Sequence, residues 1–258
     1  MLNQIDIQDI VIIAKEAGNA IMQIYNQDFE VEYKQDNSPL TLADKKANDI
    51  IENGLNQLTV NFPILSEEGK DIPYEERKHW EYFWLVDPLD GTKEFVKKNG
   101  EFTVNIALIH KNTPVLGVVY APALDICYWA KQGKGAFKDG QRLPLKTESQ
   151  RETYKIVASR SHMSDEAQAF IDDIDTDKDK EKELISIGSS LKICLVAEGE
   201  ADIYPRLGPT MEWDTGAAHA IINESKKNLE RYMNGKYSKH EYNKEDLLNQ
   251  WFIVGDEL

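Results

Sequence analysis

The stretch Tyr82-Phe83-Trp84-Leu85-Val86-Asp87-Pro88-Leu89-Asp90-Gly91-Thr92 constrains this chain more than any other. Its leading run of apolar and aromatic residues, closed by a turn cluster, predicts a buried strand. That strand hands over to two carboxylates, Asp87 and Asp90, with Pro88 and Leu89 between them. Pro88 fixes its own φ and lacks a backbone donor, so the strand is expected to end there. Gly91 permits a backbone conformation that other residues avoid, or a close approach to a ligand. From Thr92 onward, Lys93-Glu94-Phe95-Val96 can open a helix whose free N–H groups face an anion. Two hard oxygen ligands beside an anion-binding backbone point to phosphate chemistry assisted by magnesium.

Composition narrows the partners. The chain has 258 residues, 41% of them hydrophobic and 29% charged, enough for one large or two modest folded domains. Its 45 acids against 30 bases give a formal charge of −15. Such a surface repels nucleic-acid backbones and anionic membranes, which argues against a polymeric nucleic-acid partner. A small phosphorylated substrate remains open where metal ions reverse the local field. The two cysteines, Cys127 and Cys194, lie in apolar segments and are expected to be buried free thiols of a reducing cytosol. The N-terminus shows no signal-peptide pattern, and no apolar run approaches the roughly 20 residues that span a bilayer. A cytoplasmic location is therefore expected, with nothing to indicate peripheral membrane association.

Ile10, Ile13, Ala14, Ala17, Ile21 and Ile24 recur at helical spacing, predicting an amphipathic helix over about 5–25. A short strand is expected over 29–34, then a polar loop to Pro39. A second helix opens at Thr41, with Ala47, Ile50, Ile51, Leu55 and Leu58 on its apolar face. Thr41 and Asp44 fit a capping box, one reading of Asp44. Residues 63–69 give a short strand ending in Glu67 and Glu68. From Thr103 to Phe137, short β runs separated by tight turns predict an antiparallel meander. A polar, aperiodic segment over 142–153 marks an expected division into residues 1–147 and 148–258. Beyond it come strands at 155–159, 184–187 and 201–204, and helices after Ser164 and Ser190. A small-residue helix at 213–222 carries Asp214. Residues 172–183, dense in Asp and Lys, are expected to be a solvated connection.

Glu67, Asp87 and Asp90, all at strand ends, are the carboxylates expected to converge, with Asp214 a further candidate. Asp214 also has an ordinary reading, as a helix N-terminal acid stabilised by the dipole. Spacing alone does not place it beside Asp87.

Asp87-Pro88-Leu89-Asp90-Gly91-Thr92, the upstream Ser66-Glu67-Glu68 and the downstream Trp213-Asp214-Thr215-Gly216-Ala217-Ala218 resemble, in order, the three signatures of the inositol monophosphatase superfamily. Within it, Trp84 to Phe95, Asn99 to Leu108, Gly188 to Lys192 and Glu198 to Arg206 are most similar to the bacterial 3'(2'),5'-bisphosphate nucleotidases of the CysQ type. Lys93-Glu94-Phe95 stands where inositol monophosphatases usually have Thr-Asn-Phe. The resemblance implies an α+β fold, a layered α/β/α/β/α sandwich, with metals between its two halves.

It also implies site roles. Glu67, Asp87 and the Leu89 carbonyl would hold one Mg2+ ion; Asp87, Asp90 and Asp214 would hold a second, and Glu67 a weaker third through water. Thr92, oriented by Asp44, would position the attacking water, making Asp44, Glu67 and Thr92 the catalytic set. Gly91 and Thr92 amides would hold phosphate oxygens. His162, Ser189, Lys192 and Arg206 would surround the nucleotide, Lys192 and Arg206 on its 5'-phosphate. Lys192 and Arg206 have a lesser alternative reading as an exposed surface pair, and His162 could equally have no functional role. One departure is Glu224-Ser225-Lys226-Lys227, where the family usually reads Glu-Ala-Gly-Gly, so the fold after Ile222 is the least constrained.

The implied reaction is in-line attack of metal-activated water on the 3'-phosphate of adenosine 3',5'-bisphosphate, giving AMP and phosphate. Action on the sulfated precursor, a place in sulfur assimilation and sensitivity to lithium would accompany it. The rival with the same chemistry is a phosphatase of inositol monophosphate or another sugar phosphate. The rival of another class is a non-catalytic phosphonucleotide-binding protein. The sequence leaves the oligomeric state open.

Overall fold

The computed structural model describes residues 1–27, 39–146, 152–158, 164–176 and 180–256. Helix α1, Ile7–Tyr25, starts where the Asp6 side chain accepts the Gln8 N–H at 3.0 Å. Helix α2, Pro39–Asn56, packs against it through Ala43, Ala47, Ile51 and Leu55. Because α2 already begins at Pro39, Thr41 lies inside the helix, and the capping-box reading of Asp44 fails. The strand expected over 29–34 lies outside the described residues.

The following segments build one seven-stranded sheet in chain order. They are β1 (Ile64–Ser66), β2 (Tyr82–Asp90), β3 (Thr103–His110), β4 (Thr113–Ala121), β5 (Ile126–Lys131), β6 (Gly135–Lys138) and β7 (Gln141–Arg142). β1 runs parallel to β2, and every later pair is antiparallel, the meander the turns predict. Two short helices, α3 (Tyr74–Arg77) and α4 (Thr92–Val96), flank β2 in sequence.

β2 does not end at Pro88. It pairs Asp87 with Asn105 and next Asp90 with Thr103, so β2 carries one residue more than its partner between those pairs. The bulge takes Pro88 and Leu89 out of the ladder, where a missing donor costs no hydrogen bond.

The second half supplies β8 (Tyr154–Ala158), α5 (Asp165–Asp173), β9 (Lys182–Ser186), α6 (Leu191–Glu198), β10 (Tyr204–Arg206) and α7 (Glu212–Glu224). β11 (Asn228–Met233), β12 (Lys236–Lys239) and β13 (Phe252–Gly255) follow. β8 and β9 are parallel, and a four-stranded sheet has the order β10-β13-β11-β12. The tail beyond Ile222 thus forms most of a sheet. Lys226 ends α7 with φ +64°, in the left-handed region that a glycine would occupy without strain.

Alternation along β2 sorts side chains to two faces. Trp84 and Val86 join Ile10, Ile21 and Ile51 under α1 and α2, while Phe83 and Leu85 join Ile193, Ala217 and Ile221 under α6 and α7. The latter cluster crosses from the first half of the chain into the second. β10 and β13 pack on α6, and α5 on β10, completing an α/β/α/β/α stack.

α7 comes unusually close to the large sheet at Gly117, where a Cβ would sit 2.1 Å from the Ala217 carbonyl oxygen. Gly117→Ala is therefore expected to destabilise the protein by about 3 kcal/mol. A scanning-calorimetry drop of roughly 6–12 °C is the check.

Candidate active site

Parallel pairing delivers the first two acids to one edge. β1 and β2 run side by side, and the Glu67 N–H continues the ladder to the Val86 carbonyl at 3.1 Å. Asp87 follows Val86 directly and is 1% exposed, its Oδ1 accepting the Leu89 N–H at 3.0 Å across the bulge. Asp214 sits in the first turn of α7, where its Oδ2 accepts the Met211 N–H at 2.8 Å. That is the helix-terminus role open to it, and it does not exclude the other. One carboxylate oxygen from each of Glu67, Asp87 and Asp214 lies within 4.8 Å of the other two.

Asp90 closes β2 and turns one oxygen, Oδ2, toward Ser190, whose N–H and Oγ lie at 2.6 and 2.8 Å. Gly91 takes φ +96°, which aims α4 away from the strand. Thr92, the first residue of α4, is exposed. Asp44 is half-buried, and its Oδ1 is buried without a hydrogen-bond partner.

Like charges dominate the electrostatics. Burial, then Asp90, Glu67, Asp214 and Asp44, push the Asp87 carboxyl well above the usual carboxylate range. Burial and Asp90 push Asp214 up to about 7, and burial with Glu68 and Glu67 pushes Asp44 up to about 8. Glu67 is raised by burial and by Asp90. A set of crowded hard oxygens, one of them orphaned, fits a divalent cation such as magnesium, which would let these groups ionise together.

The sign of the resulting pH dependence follows from linkage. In the metal-free protein these carboxyls hold protons that the unfolded chain, at ordinary values near 3.8 for Asp, has already released. Stability should fall as pH rises from about 4 through about 7 and 8, where Asp214 and Asp44 ionise, and level off only above that range. We expect the melting temperature in a chelator to drop between pH 5 and 8, and the stabilisation given by Mg2+ to grow over that same interval.

Asp90 and Asp214 also border a cavity of about 140 Å³, whose lining includes Ser189, Lys192 and Arg206. Ser189 is buried, takes φ +50°, and leaves its Oγ without a partner. Arg206 donates from Nη2 to the Pro209 carbonyl at 2.7 Å, while its buried Nε has no partner. Lys192 is half-buried rather than an exposed surface lysine. Burial lowers its pKa, Asp90 opposes that, and Arg206 adds to the lowering. His162 lies outside the described residues.

Two residues of the site, Ser190 and Asn105, are absent from the sequence-based candidates. Asn105 is a polar residue in the otherwise apolar run Val104 to Ile109, which is a usable signal. Ser190 follows Ser189 with nothing to separate the two.

A crowded carboxylate pocket between a bulged strand and a helix start, under an α/β/α/β/α stack, defines a metal-dependent phosphatase class of site. The sequence matches the inositol monophosphatase family over residues 2–241, and the chain belongs to that family. It is 51% identical over 219 residues to the 3'(2'),5'-bisphosphate nucleotidase CysQ of Salmonella typhimurium, covering 83% of this chain and 86% of that one. The CysQ nucleotidase of Haemophilus influenzae is 36% identical over 263 residues, covering 99% and 95%. The crystal structure of CysQ from Bacteroides thetaiotaomicron superposes with a TM-score of 0.89 at 46% identity, covering 98% of this chain and 97% of that one.

Proposed function

We propose that this chain is a magnesium-dependent phosphatase that removes the 3'-phosphate of adenosine 3',5'-bisphosphate, giving AMP and phosphate. The observation that carries the reading is that the cavity bordered by Asp90 and Asp214 also has Lys192 and Arg206 in its lining, two cations available to a second anion. An inositol monophosphate has no second phosphate to use those cations. The likeness to CysQ nucleotidases over most of the chain supports the same substrate. The sulfated precursor carries the same 3'-phosphate and should also be accepted, giving the protein a place in sulfur assimilation.

Glu67, Asp87, the Leu89 carbonyl, Asp90 and Asp214 would hold two magnesium ions, with a weaker third near Glu67. When bound, these ions supply a lowered pKa for the attacking water and charge stabilisation for the leaving ribose oxygen. Thr92, oriented by Asp44, would position that water and help deprotonate it. Gly91 and Thr92 amides hold phosphate oxygens, and Ser189, Lys192, Arg206 and His162 take the rest of the nucleotide. Lithium should inhibit the reaction. Among the described residues no helix is long and apolar enough to cross a membrane.

The test is phosphate release in magnesium from adenosine 3',5'-bisphosphate, AMP and inositol 1-phosphate, with Asp90→Asn as control. Strong preference for the bisphosphate, lost in the variant, is expected. Preference for inositol 1-phosphate would keep the chemistry and overturn the substrate. Tight bisphosphate binding without release from any of the three would leave a binding protein.

A further inference from the structure

Ser190 occupies a junction between the two halves of the molecule. Its backbone N–H donates to Asp90 Oδ2 at 2.6 Å, and its Oγ lies 2.8 Å from that oxygen and 2.6 Å from the Asp214 carbonyl. Asn105 Nδ2 donates to the same Oγ at 2.9 Å and approaches Asp90 Oδ2 at 3.4 Å. Asn105 and Ser190 are 1% and 3% exposed, so water does not compete for these bonds.

The hydroxyl has one hydrogen and two oxygens within reach, the Asp214 carbonyl and Asp90 Oδ2. Its proton is shared between them, while Asn105 fills an acceptor position on the oxygen. The backbone N–H and the hydroxyl thus both face one carboxylate oxygen of Asp90, and Oδ1 is left for other work. The same hydroxyl fixes the backbone of Asp214 in the first turn of α7. Two acids from different halves of the chain are registered against each other through one side chain.

We propose that Ser190, braced by Asn105, is a positioning residue that holds Asp90 and Asp214 in the spacing a divalent cation needs. This rests on the reading of Asp90 and Asp214 as metal ligands. Asn105 comes from β3, in register opposite Asp87, and does not line the nucleotide cavity. Ser190 does line it, so Asn105 separates metal positioning from nucleotide contact.

The experiment measures Mn2+ affinity by electron paramagnetic resonance of the free aqua ion, on the full chain without nucleotide. Steady-state kinetics at varied Mg2+ run in parallel. The variants are Ser190→Ala, Ser190→Thr, Asn105→Ala and Asp90→Asn. Supporting ligands of this kind typically change metal affinity by 10–100-fold. Ser190→Ala and Asn105→Ala should weaken Mn2+ binding by about that factor and raise the Mg2+ concentration for half-maximal rate in proportion. Asn105→Ala should leave KM for the bisphosphate at saturating Mg2+ within about twofold. Ser190→Thr, which keeps the hydroxyl, should recover most of the Mn2+ affinity.

A lower melting temperature with wild-type Mn2+ affinity in Ser190→Ala and Asn105→Ala would overturn the proposal, provided Asp90→Asn still loses metal. Unchanged affinity in Asp90→Asn as well would remove the ligand reading and the positioning role together. Should Ser190→Ala not fold, Asn105→Ala and Ser190→Thr decide the matter by the same criteria.

Discussion

Asp87→Asn should abolish phosphate release and, in the same protein stripped of metal, raise the melting temperature. The two effects share one cause. Asp87 is buried among four other acids, and burial with their charges holds its carboxyl well above the ordinary range. The asparagine keeps an oxygen that can accept the Leu89 N–H now bonded at 3.0 Å, so the bulge survives. What disappears is a negative charge that only a cation makes tolerable. On the ligand set proposed above, losing Asp87 should cost roughly a thousandfold or more in kcat/KM, beyond the 10–100-fold of residues that merely support ligands. Relief of that burial and repulsion should raise the metal-free melting temperature at pH 8. At pH 5 the gain should be smaller, because Asp214 and Asp44, raised to about 7 and about 8, are by then largely protonated in the parent and repel Asp87 less. A variant that melts lower than the parent in chelator at pH 8 would show that the acids are not in electrostatic conflict.

That conflict is the part of the site most legible from sequence, and the reason is local. A buried apolar run ending in Asp87 and a second one ending at Glu67 are one-dimensional patterns, and parallel pairing of β1 with β2 turns them into a cluster. Asp214 is different in kind, because 124 residues separate it from Asp90 and only the packing of α7 on the large sheet, against β2, β3 and β4, brings it across. No periodicity encodes that approach, and the resemblance to known signatures stands in for it. Where local rules mislead, a competing local rule wins. Pro88 should end a strand, yet a bulge accommodates it, and Thr41 looks like an N-cap, yet α2 starts two residues earlier. The tail reads as uninterpretable because its strands depend on partners. β11 and β13 pair with each other, and Tyr242 reaches back to donate to Thr215 Oγ1 at 3.2 Å, beside Asp214. Ser190 and Asn105 leave no trace as a pair, since a serine and an asparagine 85 residues apart become a unit only through their 2.9 Å hydrogen bond.

Lys192→Met should divide substrates by whether they carry a second phosphate. The lysine is half-buried beside Arg206, and both burial and that neighbour work against its charge. A 5'-phosphate placed between the two cations would reverse both penalties, and a charge-assisted bond of this kind is worth about 1.5–3 kcal/mol. Methionine keeps the length and the apolar stem, so the helix start at Ser190 and the cavity wall should persist. For adenosine 3',5'-bisphosphate, kcat/KM should fall roughly 10–150-fold, mainly through KM, because the 5'-phosphate is bound alike in ground and transition states. For adenosine 3'-monophosphate, which keeps the scissile group and the base, the change should stay within about threefold. The parent should also lose bisphosphate affinity at alkaline pH sooner than an ordinary lysine would give, since its lowered pKa releases the proton early; Lys192→Met should lack that limb. Equal losses for both nucleotides would place Lys192 in the general architecture of the pocket rather than on the 5'-phosphate, and the preference for a bisphosphate would then have to come from Arg206 alone.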